Sequence, residues 1–122
     1  MKTPLSLATA GLLILTAGGA MAADGPALAD CVDLGGNQQI VRAGNGDQFF
    51  LKDGDNHYRI GLGRGCGGLA VASRIELSTD GTVNRLCPSG SKVKTNREIC
   101  LVNQVSTISA EEFKRRQARA NR

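Results

Sequence analysis

The 122-residue chain has no tryptophan, one tyrosine, three phenylalanines and one histidine. So few large side chains allow only a thin core, and a chain of this size buries a small share of its surface without covalent help. There is no Cys-x-x-Cys, and no two cysteines stand closer than 13 positions. That spacing argues against a thioredoxin-like redox motif and against a tetrathiolate zinc site built from close pairs. The lone imidazole, His57, is the one candidate general base for nucleophilic catalysis. No serine sits in a nucleophile elbow, so the sequence names no catalytic residue and the expected reading is not an enzyme. After the first apolar run no further stretch of about 18 apolar residues occurs, so no membrane span is expected in the body. Internal repeats and low-complexity segments are also lacking.

What is present begins with residues 1–22. Lys2 supplies a positive start, Leu5 to Ala17 is apolar and uncharged, and Ala20-Met21-Ala22 puts small residues at the −3 and −1 positions. This is the pattern of a secretory signal peptide cut near Ala22, and it predicts a periplasmic or secreted protein. The remaining 100 residues fit one small domain. Residues 23–30, with Pro26, read as a flexible leader, residues 31–108 as the folded domain, and residues 109–122 as a basic helical tail.

The charge is uneven. Without Lys2 the chain carries 14 basic and 11 acidic residues, and residues 23–108 carry nine of each. The excess of +3 lies in the tail, in Lys114, Arg115, Arg116, Arg119 and Arg122 against Glu111 and Glu112. A neutral body speaks against a nucleic-acid-binding domain. The tail cations are candidates for weak contact with an anionic surface or an acidic partner, although Phe113 alone gives the segment little apolar face.

Cys31, Cys66, Cys87 and Cys100 form an even set in a short exported chain, which predicts a disulfide framework with three possible connectivities. The preferred pairing is Cys66–Cys87 nested inside Cys31–Cys100. Cys66 closes one strand and Cys87 ends another, with one hairpin between them. The remaining pair would clip the ends of the domain together.

Apolar spacing over the body favours period two. Strands are expected at 39–43, 48–52, 57–62, 74–78, 83–87, 98–102 and 105–108, with hairpin signals at Asp53-Gly54-Asp55-Asn56 and Asp80-Gly81. Tyr58, Ile60 and Leu62 share a face and, with Leu69, are the expected core. Pro88-Ser89-Gly90-Ser91 reads as a loop. Ser109-Ala110-Glu111-Glu112 is a capping box opening one C-terminal helix. The predicted class is mainly β, a small antiparallel barrel or rolled sheet of about six or seven short strands, disulfide-stapled, with that helix appended.

Two motifs invite a chemical reading. Gly63-Arg64-Gly65-Cys66-Gly67-Gly68 matches G-x-G-x-x-G, but a dinucleotide site also needs a helix aimed at the pyrophosphate and a parallel second strand. The better reading is a glycine bend that places Cys66 for its bridge. Asp53-Gly54-Asp55-Asn56-His57 offers oxygen ligands without the further set and bidentate glutamate of a calcium loop. No cofactor and no metal site are expected from either. The alternative function is metal binding or thiol redox chemistry through the cysteines and His57.

Cys31, Tyr58-Arg59-Ile60-Gly61-Leu62 running to Cys66 and Leu69, Arg74-Ile75, Cys87, and Cys100 with Val105 and Ile108 carry a resemblance. Over residues 31–108 the chain resembles a family of small exported bacterial proteins defined as a domain of unknown function. That family shares a Tyr-Arg-x-x-Leu strand, a Cys-x-x-Leu turn and later cysteines before a closing strand. Glycines flank Cys66 where the family often carries proline, and the basic tail is an addition. The resemblance implies an exported, disulfide-containing β domain and no assigned activity. The function expected is therefore a non-catalytic binding or envelope-accessory module whose partner is an unknown protein or envelope component.

Overall fold

In the computed structural model, residues 24–43, 46–63 and 66–121 are described. Residues 1–22, expected from the sequence to be a signal peptide cut near Ala22, lie outside them, as do Arg64, Gly65 and Arg122. The strands in chain order are β1 (Asp24–Ala27), β2 (Val32–Asp33), β3 (Gln38–Arg42), β4 (Gln48–Asp53) and β5 (Asn56–Leu62). A 3₁₀ turn at Leu69–Val71 follows. Then come β6 (Ile75–Thr79), β7 (Thr82–Val83), β8 (Arg85–Leu86), β9 (Ser91–Thr95), β10 (Ile99–Ile108) and one helix, α1 (Ala110–Ala120).

The main sheet runs β3-β4-β5-β10-β9-β6-β7, every neighbour antiparallel, and curls into a half-barrel. The mainly β class with one C-terminal helix is thus the observed one. Two hairpins use the turn chemistry their sequences carry. Gly54 takes φ 62° in the β4–β5 turn, and Asp80 and Gly81 take φ 51° and 80° in the β6–β7 turn. Positive φ at both central residues, as at Asp80-Gly81, or at the first alone, as at Gly54, gives the twist that joins antiparallel strands by two residues.

Four expectations for the chain path are corrected. The leader 23–30 contains β1, which pairs with β10 at Asp24↔Ile108 and Ala27↔Ser106. An edge position tolerates Pro26 because its missing N–H need not serve a second neighbour. The strand expected at 83–87 is split at Asn84, whose φ of 67° turns the chain away from β6. Asparagine tolerates that left-handed conformation better than most residues. Downstream, β8 pairs with β2 instead. The loop expected at 88–91 ends one residue early, for Ser91 starts β9. Finally, the two strands expected at 98–102 and 105–108 are one continuous β10, bridged by a register shift between Val102 and Gln104.

Two apolar clusters hold the sheet from its two sides. Inside the curl lie Phe49, Leu51, Tyr58, Ile60, Leu62, Leu69, Leu77, Leu86, Val93, Val102 and Val105, with Leu34 and Cys66. Tyr58 and Leu62 are each 5% exposed, and Ile60 and Leu69 are fully buried. Burial, with the charge of Asp53 adding, pushes the Tyr58 phenol above its ordinary pKa. The second cluster, Val41, Phe50, Ile108 and Phe113, lies between the outer face and α1. Phe49, Phe50 and Leu51 are consecutive and all buried because β4 is covered on both faces.

The open edges of the curl face each other across β3 and β6, and polar side chains span the seam. Gln38 Nε2 donates to Asn84 Oδ1 at 2.9 Å and to Gly35 O at 2.9 Å. Arg42 reaches the 3₁₀ turn, donating from Nε to Leu69 O at 3.0 Å and from Nη2 to Ala72 O at 2.6 Å.

Candidate functional site

The cysteines are joined as Cys31–Cys87 and Cys66–Cys100, and none of the four is free. This overturns the expected nesting of Cys66–Cys87 within Cys31–Cys100, and the ladders give the reason. β2 pairs with β8 at Val32↔Leu86, so Cys31 and Cys87 are the next opposed pair in the same register, 4.0 Å apart at Cα. β5 lies against β10 with Val102 opposite Leu62, and Gly63 N donates to Leu101 O at 3.1 Å. The chain leaving β5 therefore passes Cys100, not Cys87.

Around Cys66 the chain makes a tight corner. Cys66 N donates to Gly46 O at 2.8 Å, and Leu69 N donates back to Cys66 O at 2.9 Å. A side chain on Gly46 would come 2.7 Å from Cys66 O, so the corner requires glycine there. Glu98 completes it. Its Oε2 accepts from Gly68 N at 2.7 Å and lies 3.7 Å from Cys66 Sγ. Cys66, Glu98 and Cys100 present donor atoms within 4.8 Å of one another, with both sulfurs engaged in the bridge. A single 3₁₀ turn follows the glycines, so no helix N-terminus points back as a dinucleotide site requires.

His57 is remote from this corner. It sits at the start of β5, its ring 5.3 Å from that of Phe113 on α1, whereas Cys66 lies beyond the other end of the strand. The proposed partnership of His57 with the cysteines is not assembled. Asp53 caps a loop, its Oδ1 accepting from Gly35 N at 3.0 Å.

The helix supplies the second feature. Ser109 is the N-cap, its Oγ accepting from Glu112 N at 3.0 Å, which forms half of the capping box. The other half is missing because the Glu112 carboxylate is used elsewhere. Arg115 and Arg116 donate to it at 2.5 and 2.6 Å, and Glu112 is 5% exposed. Burial alone would raise this carboxyl, but the hydrogen bonds and charges of the two arginines outweigh it and hold the pKa below its ordinary value. The Arg116 guanidinium also lies over the Phe50 ring, 4.9 Å from its centroid.

The five cations expected to act together are therefore divided. Arg115 and Arg116 are tied to Glu112, Lys114 and Arg119 are exposed, and Arg122 lies outside the described residues. Between the C-terminal half of α1 and the adjoining ends of β3 and β4 is a cleft of about 620 Å³. Arg42, Gln48, Phe50, Arg116 and Arg119 line it, together with two alanines. Arg42 gave no sequence signal, since its place depends on β3 running beside α1. The Glu112, Arg115 and Arg116 spacing of three and four does signal ion pairs on one helix face.

No helix among the described residues is long and apolar enough to cross a membrane. No family model, no curated protein and no solved structure matches this chain.

Proposed function

We propose that the protein is an exported, non-catalytic binding module of the bacterial cell envelope, related to the small exported family it resembles. The observation that carries the reading is the pair of disulfides. They join four strands' worth of thin sheet and favour an oxidising compartment, in keeping with the signal-peptide pattern of residues 1–22. The cleft beside α1 is the surface on which such a module would meet an anionic envelope component, with Arg119 an exposed cation of the helix on its lining.

The full chain, expressed in a bacterium and fractionated, tests this. The expected product is periplasmic, begins at Ala23, and gains mass corresponding to four hydrogens on reduction. A cytoplasmic protein with four free thiols would overturn it.

A second reading is metal binding after the Cys66–Cys100 bridge is opened by a dithiol reductant. It is favoured by the Cys66, Glu98 and Cys100 donor set, without His57. Reduced, folded protein would then show a cobalt–thiolate charge-transfer band that weakens in Glu98→Gln. Absence of the band removes the reading.

A further inference from the structure

Three arginines, Arg42, Arg116 and Arg119, line the cleft beside α1, and no carboxylate is among its described lining residues. Like charges brought together repel, so such an arrangement is costly unless something anionic offsets it. Two of the three are held in place from within the protein. Arg42 is fixed by the carbonyls of Leu69 and Ala72, and Arg116 by Glu112 and the face of Phe50. These contacts use two of Arg42's five N–H donors and one of Arg116's, leaving donors on both. The Arg119 side chain makes no hydrogen bond to a described residue and keeps its whole fork. Two preorganised cations have already lost their side-chain freedom, which lowers the cost of binding an anion between them.

The charge count selects the anion. Glu112, shared between Arg116 and Arg115, offsets at most one charge of the three lining arginines, so at least two positive charges remain on them. A carboxylate or a phosphodiester would neutralise one. A phosphomonoester, doubly charged above its second pKa of about 6, would neutralise both and offers three acceptor oxygens to forked donors. We infer that the cleft between α1 and the β3–β4 end binds the phosphate group of a phosphomonoester. This rests on the reading of the protein as a binding module and names the ligand class that its helix-side cleft takes.

The test uses the oxidised, isotope-labelled protein, titrated with glycerol phosphate and with inorganic phosphate at constant ionic strength. Sedimentation with phosphatidic acid vesicles runs in parallel. Signals of Arg42, Arg116 and Arg119 should shift, and affinity should rise as pH passes upward through about 6, when the phosphate gains its second charge. Arg119→Gln should weaken binding about tenfold, the scale of one charge-assisted hydrogen bond. Lys114→Gln, on the same helix but outside the cleft, should leave it within about twofold, as expected for a screened surface charge. Vesicle binding that soluble phosphate competes away would make a lipid headgroup the source. Soluble binding alone would make it a free phosphomonoester, and either upholds the site.

No shift at millimolar phosphate would overturn the inference. So would acetate binding as well as phosphate, or equal losses in the two variants, which would mean diffuse attraction. Should the protein prove exported and oxidised while the cleft ignores phosphate, this inference alone falls. A reduced, cytoplasmic protein would instead remove the proposed function and leave the phosphate result to stand by itself.

Discussion

Ser91 and Ser106 are both nearly fully buried, yet their hydroxyls are used very differently. Thr79 Oγ1 donates to Arg85 O at 2.7 Å, so Ser91 Oγ donates to Thr79 at 2.7 Å and accepts from Cys87 N at 2.9 Å. This short relay ties β6, β8 and β9 together beside a disulfide. Ser106 Oγ has no hydrogen-bond partner among the described residues. Ser91→Ala leaves the buried Cys87 N–H without its acceptor and should cost about 1–3 kcal/mol, while Ser106→Ala should be close to neutral or stabilising. Urea unfolding of the two variants decides this, and similar losses in both would contradict the relay.

Glycine gives a second contrast at this scale. Gly46, with φ 79° and no room for a side chain against Cys66 O, should not tolerate alanine, which should cost upwards of about 1 kcal/mol. Gly67, whose added Cβ would meet nothing within 4 Å, should accept it within about 0.5 kcal/mol. Thermal melts of Gly46→Ala and Gly67→Ala compare the two. A motif that reads as uniformly glycine-rich thus contains a position open to alanine beside a tight one, Gly68, whose added Cβ would lie 3.0 Å from Arg97 Cδ, while a further strict requirement lies outside it at Gly46.

At the scale of the element, α1 depends on one buried carboxylate. Glu112 has a folded pKa below its unfolded one, so its contribution is fully present above the ordinary carboxyl value. It is lost as pH falls through the lowered folded value. Acid should therefore undock the helix before it unfolds the sheet, seen as loss of helical circular dichroism and of the Phe113–His57 contact in proton spectra. Glu112→Gln should flatten that acid dependence, and an unchanged acid transition would show that the ion pairs do not hold the helix. The capping-box signal at Ser109 located the helix start correctly. That Glu112 would abandon the box for Arg115 and Arg116 followed only once Phe113 had docked and buried its neighbour.

Strand reading shows the same division. Period-two spacing located β3, β4, β5 and β6 to within a residue or two, because each has a buried face and a turn signal beside it. It missed β9, Ser91-Lys92-Val93-Lys94-Thr95, whose buried positions are mostly hydroxyl residues, and only Val93 gives an apolar beat. It missed β1 because a four-residue edge strand containing proline has no pattern of its own.

For the whole molecule the two disulfides decide how the sheet is held. Cys31–Cys87 closes the end of the β2–β8 ribbon, and Cys66–Cys100 pins the chain leaving β5 to β10. Tryptic cleavage after Arg42, Arg64, Arg74, Arg85, Lys92 and Arg97 puts the four cysteines on separate peptides. A non-reducing digest should link them as Cys31 with Cys87 and Cys66 with Cys100. Removing either bridge as a double alanine variant should cost about 2–5 kcal/mol, comparable to the stability of a small domain. Chemical denaturation measures it, and a negligible loss would mean that the core suffices without the bridge.

The β class, turn positions, helix start and the existence of a cystine framework were local properties, and the amino-acid order alone determined them. Which cysteines pair, and which arginines share a cleft, required knowing that Asn84 turns β8 away toward β2 and that β10 runs unbroken beside β5. Those are long-range registers, chosen by the joint burial of residues far apart in the chain, and no window along the sequence contains them.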